Sequence, residues 1–437
     1  MTSLTRRSLL AGASGFMIIK PGLVRGTGPE KLKFGLIGCG GRGTEAAINL
    51  MTADPATELV AMGDIFHDKL HASYSVLSNL TNPDKELSRD MDVEVKGTSE
   101  TAETVQKRVK VDPEHRYVGF DAYRKVIASD VDIILLATPP AYRPEHFEAA
   151  VNAGKHCFVE KPIATDAVGV RRFMASVKKA QEKKLTVIPG TQSIFAPPAI
   201  ETREKILGGA IGEIVACYTN NLSRLVLHVR EGRDPKWGDM EWQHREWYSF
   251  IWICGDAIVE QHIHGINFCN WIMGVHPERV IASGGVAWRP REEKYGNIYD
   301  HVHADYIYPN GVHMSVHCRQ YPANCTVPGT NRNMIAGTRG RSTGNDLGNT
   351  KGIDPQVHEH MVLVKSVRGD IPYVNLGLLV AESTMTAIMG REAAYSGIEI
   401  TWDMMMSSKQ DLQPKAFDYK LKMEVPLVPV PGQYKFA

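Results

Sequence analysis

The chain has 437 residues, 43% hydrophobic and 23% charged, with a formal net charge of +1 and a pI near 7.7. That length predicts two cores rather than one, and the balance of charge excludes a strongly basic nucleic-acid or membrane-surface binder. The seven cysteines, at 39, 157, 217, 254, 269, 318 and 325, form no Cys-x-x-Cys pair, which argues against a disulfide framework or a zinc knuckle.

At the N-terminus, Thr5-Arg6-Arg7-Ser8-Leu9-Leu10 precedes a weakly apolar segment, Ala11–Ile19, and then Lys20-Pro21. This order resembles a twin-arginine export signal and predicts a periplasmic or otherwise exported protein. The plainer alternative is an N-terminus with a chance arginine pair. Residues 1–30 are thus read as signal and linker. Beyond them no apolar run is long enough to span a bilayer.

Residues 31–191 read as an α/β dinucleotide-binding domain of the Rossmann type. Lys33–Gly38 is short, apolar and stopped by glycine, as a buried parallel strand is. Gly38-Cys39-Gly40-Gly41-Arg42-Gly43 then fits G-x-G-x-x-G and leads into a helix-like run, Thr44–Met51. Glycines there allow a tight turn, close approach of a pyrophosphate and close helix–strand packing, and the helix start offers unpaired N–H groups to phosphates. Glu58–Gly63 reads as a second strand ending at Asp64, 21 residues after Gly43. A carboxylate there accepts both ribose hydroxyls and repels a 2′-phosphate, which selects NAD over NADP. Its alternative role is a helix N-cap. Residues 81–115 are charge-rich and aperiodic, a surface insertion with no assigned chemistry.

Asp132–Ala137 is the next buried strand, closed by Thr138-Pro139-Pro140 at the sheet edge where ligands lie. A helix over Pro144–Ala153 ends at Gly154, and His156–Val159 then runs into Glu160-Lys161-Pro162. An ammonium at that edge can hydrogen-bond a substrate hydroxyl and favour its alkoxide-like form. Otherwise Lys161 is a surface lysine paired with Glu160.

Gly38–Gly43, Asp64, Ala137-Thr138-Pro139-Pro140, Ala153-Gly154-Lys155-His156 and Glu160-Lys161-Pro162, in this order, resemble the glucose–fructose oxidoreductase / inositol dehydrogenase (Gfo/Idh/MocA) family. The likeness covers roughly residues 31–345. It implies an NAD-dependent oxidoreductase of sugars or polyols, with Gly38, Gly40, Gly41, Arg42, Gly43, Asp64, Thr138, Pro139, Glu160 and Lys161 at the cofactor and Lys161 beside the nicotinamide. It also implies a homodimer or homotetramer, formed through an open sheet face of the second domain.

That second domain, residues 192–437, reads as α+β with a large, mostly antiparallel sheet. Alternation stops after Gln192, and strand-like runs follow: Ile214–Asn220, Val280–Val286, Ala304–Tyr308 and Val312–His317. Pro309-Asn310-Gly311 joins the last two as a turn. Met334–Thr343 reads as a Gly-rich turn with solvated basic residues, and Asn375–Ala394 as a helix packed back on the first domain.

In Gly255–Asn267 the resembled family has Gly-Gly, an Asp, and a His four residues later. Here Asp256 replaces the second glycine, Glu260 holds the acidic position and His264 is kept. Spacing i, i+4 puts Glu260 and His264 on one helix face, with His264 as general base and Glu260 orienting it or binding a hydroxyl. Two alternatives stand: a purely structural pair, and a metal site with His262. The metal reading is disfavoured because His262 is rotated roughly 200° from Glu260 on a helix, and no metal is expected. Glu241–Tyr248 and Trp252 crowd four aromatics among polar groups, as either a carbohydrate platform or core. Tyr299-Asp300-His301 is a weaker candidate for the same pocket.

Overall fold

The computed structural model describes residues 30–84, 86, 99–224, 233–322, 325 and 331–437. The twin-arginine-like segment lies outside the described residues, as does the centre of the charged insertion expected over 81–115. No helix among the described residues is long and apolar enough to cross a membrane.

The first half builds a six-stranded, all-parallel sheet in the order β3-β2-β1-β4-β5-β6. Its strands are β1 (Leu32–Ile37), β2 (Thr57–Asp64), β3 (Arg116–Val118), β4 (Ile133–Leu136), β5 (His156–Val159) and β6 (Val187–Pro189). The central strands are short and almost wholly apolar because helices cover both faces; every residue of β4 is buried. The helix Ala167–Glu182 begins where Asp166 Oδ1 accepts the Gly169 N–H at 2.7 Å, the cap that an Asp before an apolar-periodic run supplies. The strand order reverses beside β1, and that is where an open parallel sheet leaves a crevice at its carboxyl edge.

The second half builds a seven-stranded sheet, β12-β11-β7-β10-β9-β8-β13. Its strands are β7 (Ile214–Arg224), β8 (Arg279–Gly285), β9 (His301–Ile307), β10 (His313–Tyr321), β11 (Asn331–Gly337), β12 (Gly340–Ser342) and β13 (Ile400–Thr401). All pairs are antiparallel except β7 with β10. Gly311, at φ +79°, turns β9 into β10, as Asn310-Gly311 predicts. Met334–Thr343 differs from expectation: it is the β11–β12 hairpin, and β11 pairs with β7 from more than a hundred residues upstream. A turn-rich local sequence gives no sign of so distant a partner.

Helix Gly377–Ser396 is buried over nearly its whole length. It packs on helix Ala167–Glu182 of the first half and on β8 and β9 of the second, so it joins the two sheets rather than merely covering one. Just before it, helix Pro355–Arg368 packs on the helix Gly41–Ala53 and on β5 and β6, and Asn375 bridges Val187. The chain therefore returns to the first sheet after completing most of the second.

Candidate active site

The glycine loop has the close approaches that its sequence requires. Gly38 sits at φ +93°, and a Cβ there would lie 2.6 Å from the Thr138 nitrogen. A Cβ on Gly43 would overlap the Gly38 carbonyl, whereas one on Gly40 would meet nothing within 4 Å. The helix Gly41–Ala53 has no side-chain cap for its first N–H groups, and the space beside Gly40 is open. That is a cradle for phosphate.

Asp64 closes the far side of this loop. Its Oδ2 accepts the Cys39 N–H at 2.7 Å and its Oδ1 the Phe66 N–H at 2.8 Å. Burial pushes the carboxyl up to about 6, against the lowering effect of the two N–H donors. It caps no helix: the helix His67–Ser78 starts at Phe66 without a side-chain cap. Each oxygen keeps lone-pair capacity for a hydroxyl donor, so loop, helix start and carboxylate together fit a dinucleotide.

Arg42 and Glu160 turn toward each other. Arg42 Nε donates to Glu160 Oε1 at 2.5 Å, and its other nitrogens reach Glu359 at 3.1 Å and Glu45 at 3.3 Å. Glu160 Oε2 accepts the Lys161 N–H at 3.1 Å. A Cβ on Gly190, just after β6, would strike the Glu160 carboxylate, so glycine leaves room for it there. Arg42 and Glu160 thus tie the glycine loop to the end of β5, and Glu359 joins them from the returning helix, a partner no local pattern announces. Thr138 is buried behind the loop, its Oγ1 3.4 Å from His146 Nδ1, and Pro139 follows it into the turn.

The Lys161 ammonium bonds not Glu160 but Glu260. Its Nζ donates to the Glu260 carbonyl at 2.6 Å and to Glu260 Oε1 at 2.9 Å, with the two side chains only 12% and 4% exposed. The carbonyl is available because the helix expected through Glu260 and His264 is broken. One turn spans Ala257–Glu260, Gln261 and His262 form a turn, and a new helix runs Ile263–Met273. A continuous helix would direct that carbonyl to the N–H four residues on; the break leaves it for Lys161. Burial pushes the Glu260 carboxyl up even though Lys161 and Arg143 pull it down. Glu260 Oε2 is buried with no partner, and the Tyr248 hydroxyl stands 3.4 Å from Oε1.

His264 shares this site. Burial, then the charges of Lys161 and Arg42, depress it to about 3, so it is neutral and its buried Nδ1 has no partner. His262 points elsewhere, with Nε2 3.2 Å from Thr219 Oγ1 on β7. Among the described residues no three His, Cys, Asp or Glu side chains converge in a metal-ligating group.

Asp256 explains one departure from the resembled family. It sits at φ +88°, where glycine is the natural occupant, and its carboxylate is buried. Oδ2 accepts the Tyr299 N–H at 2.8 Å and the Tyr395 hydroxyl. The side chain thereby offsets the strain its own backbone incurs. Tyr299 and Asp300 are structural: Tyr299 bonds Pro429, and Asp300 gathers the N–H groups of Ala287, Trp288 and Arg289. Of the aromatic run, Trp242 and Trp252 are core, and only Tyr248 reaches Glu260.

Arg143 escapes a sequence reading. It is 4% exposed, donates to the Pro162 carbonyl, and lies within electrostatic range of Glu260, Glu160 and Tyr248. Its position after Pro139-Pro140 is the only local signal.

Two family models match the chain: the Oxidoreductase family, NAD-binding Rossmann fold, over residues 32–191, and the GFO/IDH/MocA C-terminal domain over residues 200–343. Inositol 2-dehydrogenase of Rhizobium meliloti is 26% identical over 159 residues, 36% of this chain and 42% of that protein. The 2,7-anhydro-N-acetylneuraminate hydratase of Escherichia coli is 28% identical over 155 residues, 36% of this chain and 37% of that protein. The chain thus spans about two fifths of the length of these curated relatives. The scyllo-inositol dehydrogenase of Lactobacillus casei with bound NAD(H) and scyllo-inositol shares the fold, with a TM-score of 0.60 and 16% identity over 85% of this chain and 99% of that one. Matched in both of its sheets, the chain belongs to the Gfo/Idh/MocA family of NAD-binding oxidoreductases.

Proposed function

We propose that this protein is an exported NAD-dependent oxidoreductase acting on a secondary hydroxyl of a sugar, polyol or glycoside, with its cofactor retained through turnover. The observation that carries this reading is the Lys161–Glu260 pair at the carboxyl edge of β5, with neutral His264 in electrostatic reach. Gly38–Gly43 and Asp64 would hold the dinucleotide, and the bound nicotinamide would supply a two-electron acceptor for a carbinol C–H.

Lys161 would donate a hydrogen bond to the substrate oxygen and favour its developing negative charge. Glu260 is raised by burial and keeps a buried Oε2 without a partner beside Lys161, whereas burial depresses His264 to about 3. We therefore give Glu260 the hydroxyl proton and His264 a hydrogen bond to the substrate. The inositol dehydrogenases among the relatives support a polyol-like substrate. The order of Arg6-Arg7 and the apolar run supports export, and exposed Ile281 on β8 supports burial of the outer sheet face in a homodimer or homotetramer.

A redox-neutral reaction is the second reading, in which oxidation sets up an elimination, epimerisation or glycosidic cleavage before the hydride returns. The free Glu260 Oε2 and His264 Nδ1 favour it, because two separate proton-handling atoms exceed the need of simple dehydrogenation. The folded protein should release nicotinamide into the supernatant on acid treatment. On a panel of polyols and glycosides, net NADH formation would mark a dehydrogenase, and product without NADH the redox-neutral case. A supernatant without nicotinamide would rule out the retained cofactor, and failure to bind added NAD would refute the whole reading.

A further inference from the structure

The C-terminal stretch after helix Gly377–Ser396 lies beyond both family matches, yet it ends up beside Asp64. Its Tyr419 donates its hydroxyl to the Ile65 carbonyl at 2.5 Å, one residue past Asp64. The Tyr419 ring stacks on Phe66 at 5.8 Å and packs on Phe120, just beyond β3, at 4.8 Å. Phe417 packs on Phe120 at 5.7 Å and on Tyr142 at 5.1 Å. The Tyr419 phenol is pushed up by burial and then by the charge of Asp64, and the Tyr142 phenol by burial, then by Tyr419 and by Asp64, which sets both near that carboxylate.

This stretch is fastened rather than draped. Leu412 N–H donates to Asp166 Oδ2 at 2.9 Å, Met423 N–H to Asp239 Oδ2 at 3.1 Å, and Gln243 donates to the Met423 carbonyl at 3.1 Å. Gly238 lies against the Tyr419 carbonyl so closely that any Cβ would overlap it. The aromatic run Glu241–Trp252 thereby acquires a purpose: Trp242, Phe250 and Trp252 form a small core, separate from the main one, on which Phe417 and Met423 pack. On the same rim, Arg245 covers Phe66 and pairs with Asp68, and the next residue, Glu246, keeps a buried Oε2 with no partner.

We infer that residues 412–425 form a fixed aromatic wall over the adenosine end of the dinucleotide site, with Tyr419 as its positioning residue, and that this wall makes NAD a resident cofactor. In a parallel α/β sheet the adenosine lies outside the end of the second strand, its ribose on the terminal carboxylate. Ile65, Phe66 and Phe120 are the residues outside those strand ends, and Tyr419 binds all three. A flat base beside these rings gains stacking that water cannot replace. The wall also blocks the solvent-side exit of the adenosine. The inference rests on the NAD reading above.

The test uses the full chain and four proteins: wild type, Tyr419→Phe, Tyr419→Ala and Asp64→Ala. Binding of ADP-ribose and of nicotinamide mononucleotide is measured by calorimetry, and nucleotide retained through gel filtration by acid release. Tyr419→Ala should weaken ADP-ribose by about tenfold or more, leave the mononucleotide unchanged and lose retained nucleotide. Tyr419→Phe keeps the ring and should stay near wild type for both fragments. NAD should also slow tryptic cleavage at exposed Lys415 and Lys420 in wild type. If Tyr419→Ala and Tyr419→Phe both bind ADP-ribose like wild type while Asp64→Ala does not, the wall is refuted and the NAD site survives. If wild type binds neither fragment, the NAD reading itself has failed. An equal loss for both fragments in Tyr419→Ala, with Tyr419→Phe unaffected, would mean a general loosening of the fold and would also overturn the wall.

Discussion

Lys161→Ala separates the stability role of the lysine from its catalytic one. Removal of Nζ leaves the Glu260 carboxylate, 4% exposed, with only the Tyr248 hydroxyl at 3.4 Å near Oε1 and nothing at Oε2. Breaking a buried pair from one side costs about 3–5 kcal/mol. Glu260 already has its carboxyl raised by burial, and loss of the cation raises it further. A group raised in the fold above its unfolded value contributes stability below the unfolded value and loses it as pH rises through the folded one. The deficit of Lys161→Ala should therefore be smallest in acid and grow toward neutral pH. Glu260→Gln in the same chain should restore most of the stability, since the amide carries no charge to strand. Turnover should fall by about 10² or more in Lys161→Ala and stay down in the double variant. Urea unfolding at about pH 5 and about pH 8, with turnover on the best polyol, measures both. Turnover within tenfold of wild type, or a deficit that ignores both pH and Glu260→Gln, would refute the reasoning.

Asp256→Ala keeps the strained backbone and loses the carboxylate, whereas Asp256→Gly relieves the strain; denaturant unfolding should find the glycine variant more stable by about 1–3 kcal/mol. Equal stabilities would show that φ +88° costs nothing there. Buried His146, His262, His264 and His360 are depressed to about 3 and His244 to about 4, each chiefly by burial. Their folded values lie below the unfolded one of 6.5, so the unfolded chain binds the extra protons and stability falls as pH drops from that value toward about 4. Each such histidine contributes up to about 1.4 kcal/mol per pH unit in that window, offset in part by Asp64 and Glu246, which are raised to about 6 and about 7. Melting temperatures across this range should drop steeply, and a flat profile would contradict the burial of these rings. Gly190→Ala drives a methyl group into the Glu160 carboxylate and should loosen Arg42, weakening NAD at least about tenfold by calorimetry; unchanged NAD binding would separate that ion pair from the cofactor.

The residues legible in the sequence are those whose function is a local backbone demand. Gly38 and Gly43 must be small for a turn and a close approach, and Asp64 must end its strand, so spacing alone reveals them. Lys161 was legible through the strand before it, but its partner was not: Glu260 lies 99 residues on. The 3.6-residue period placed Glu260 and His264 on one continuous helix, and a break at Gln261–His262 reassigned the carbonyl that links them to Lys161. Arg143, Glu359 and Tyr419 act through pairings that only the tertiary fold creates. No local pattern around any of the three announces its partner, because each partner lies more than fifteen residues away in the chain.

The return of the chain to the first sheet bears on how this protein can be divided. Val374–Leu376 lies along the outer edge of β6, exchanging hydrogen bonds with Val187 in both directions, and Thr186 bonds Ser366 at 2.8 Å. His360 stacks on Phe158 of β5 at 4.3 Å. A fragment cut after residue 191 would keep every sequence hallmark of a nucleotide binder, yet present an open strand edge and a bare apolar face to water. Such a piece should aggregate rather than fold. Modular exchange of the two halves between relatives would have to carry residues 355–376 with the first half, although the sequence places them in the second.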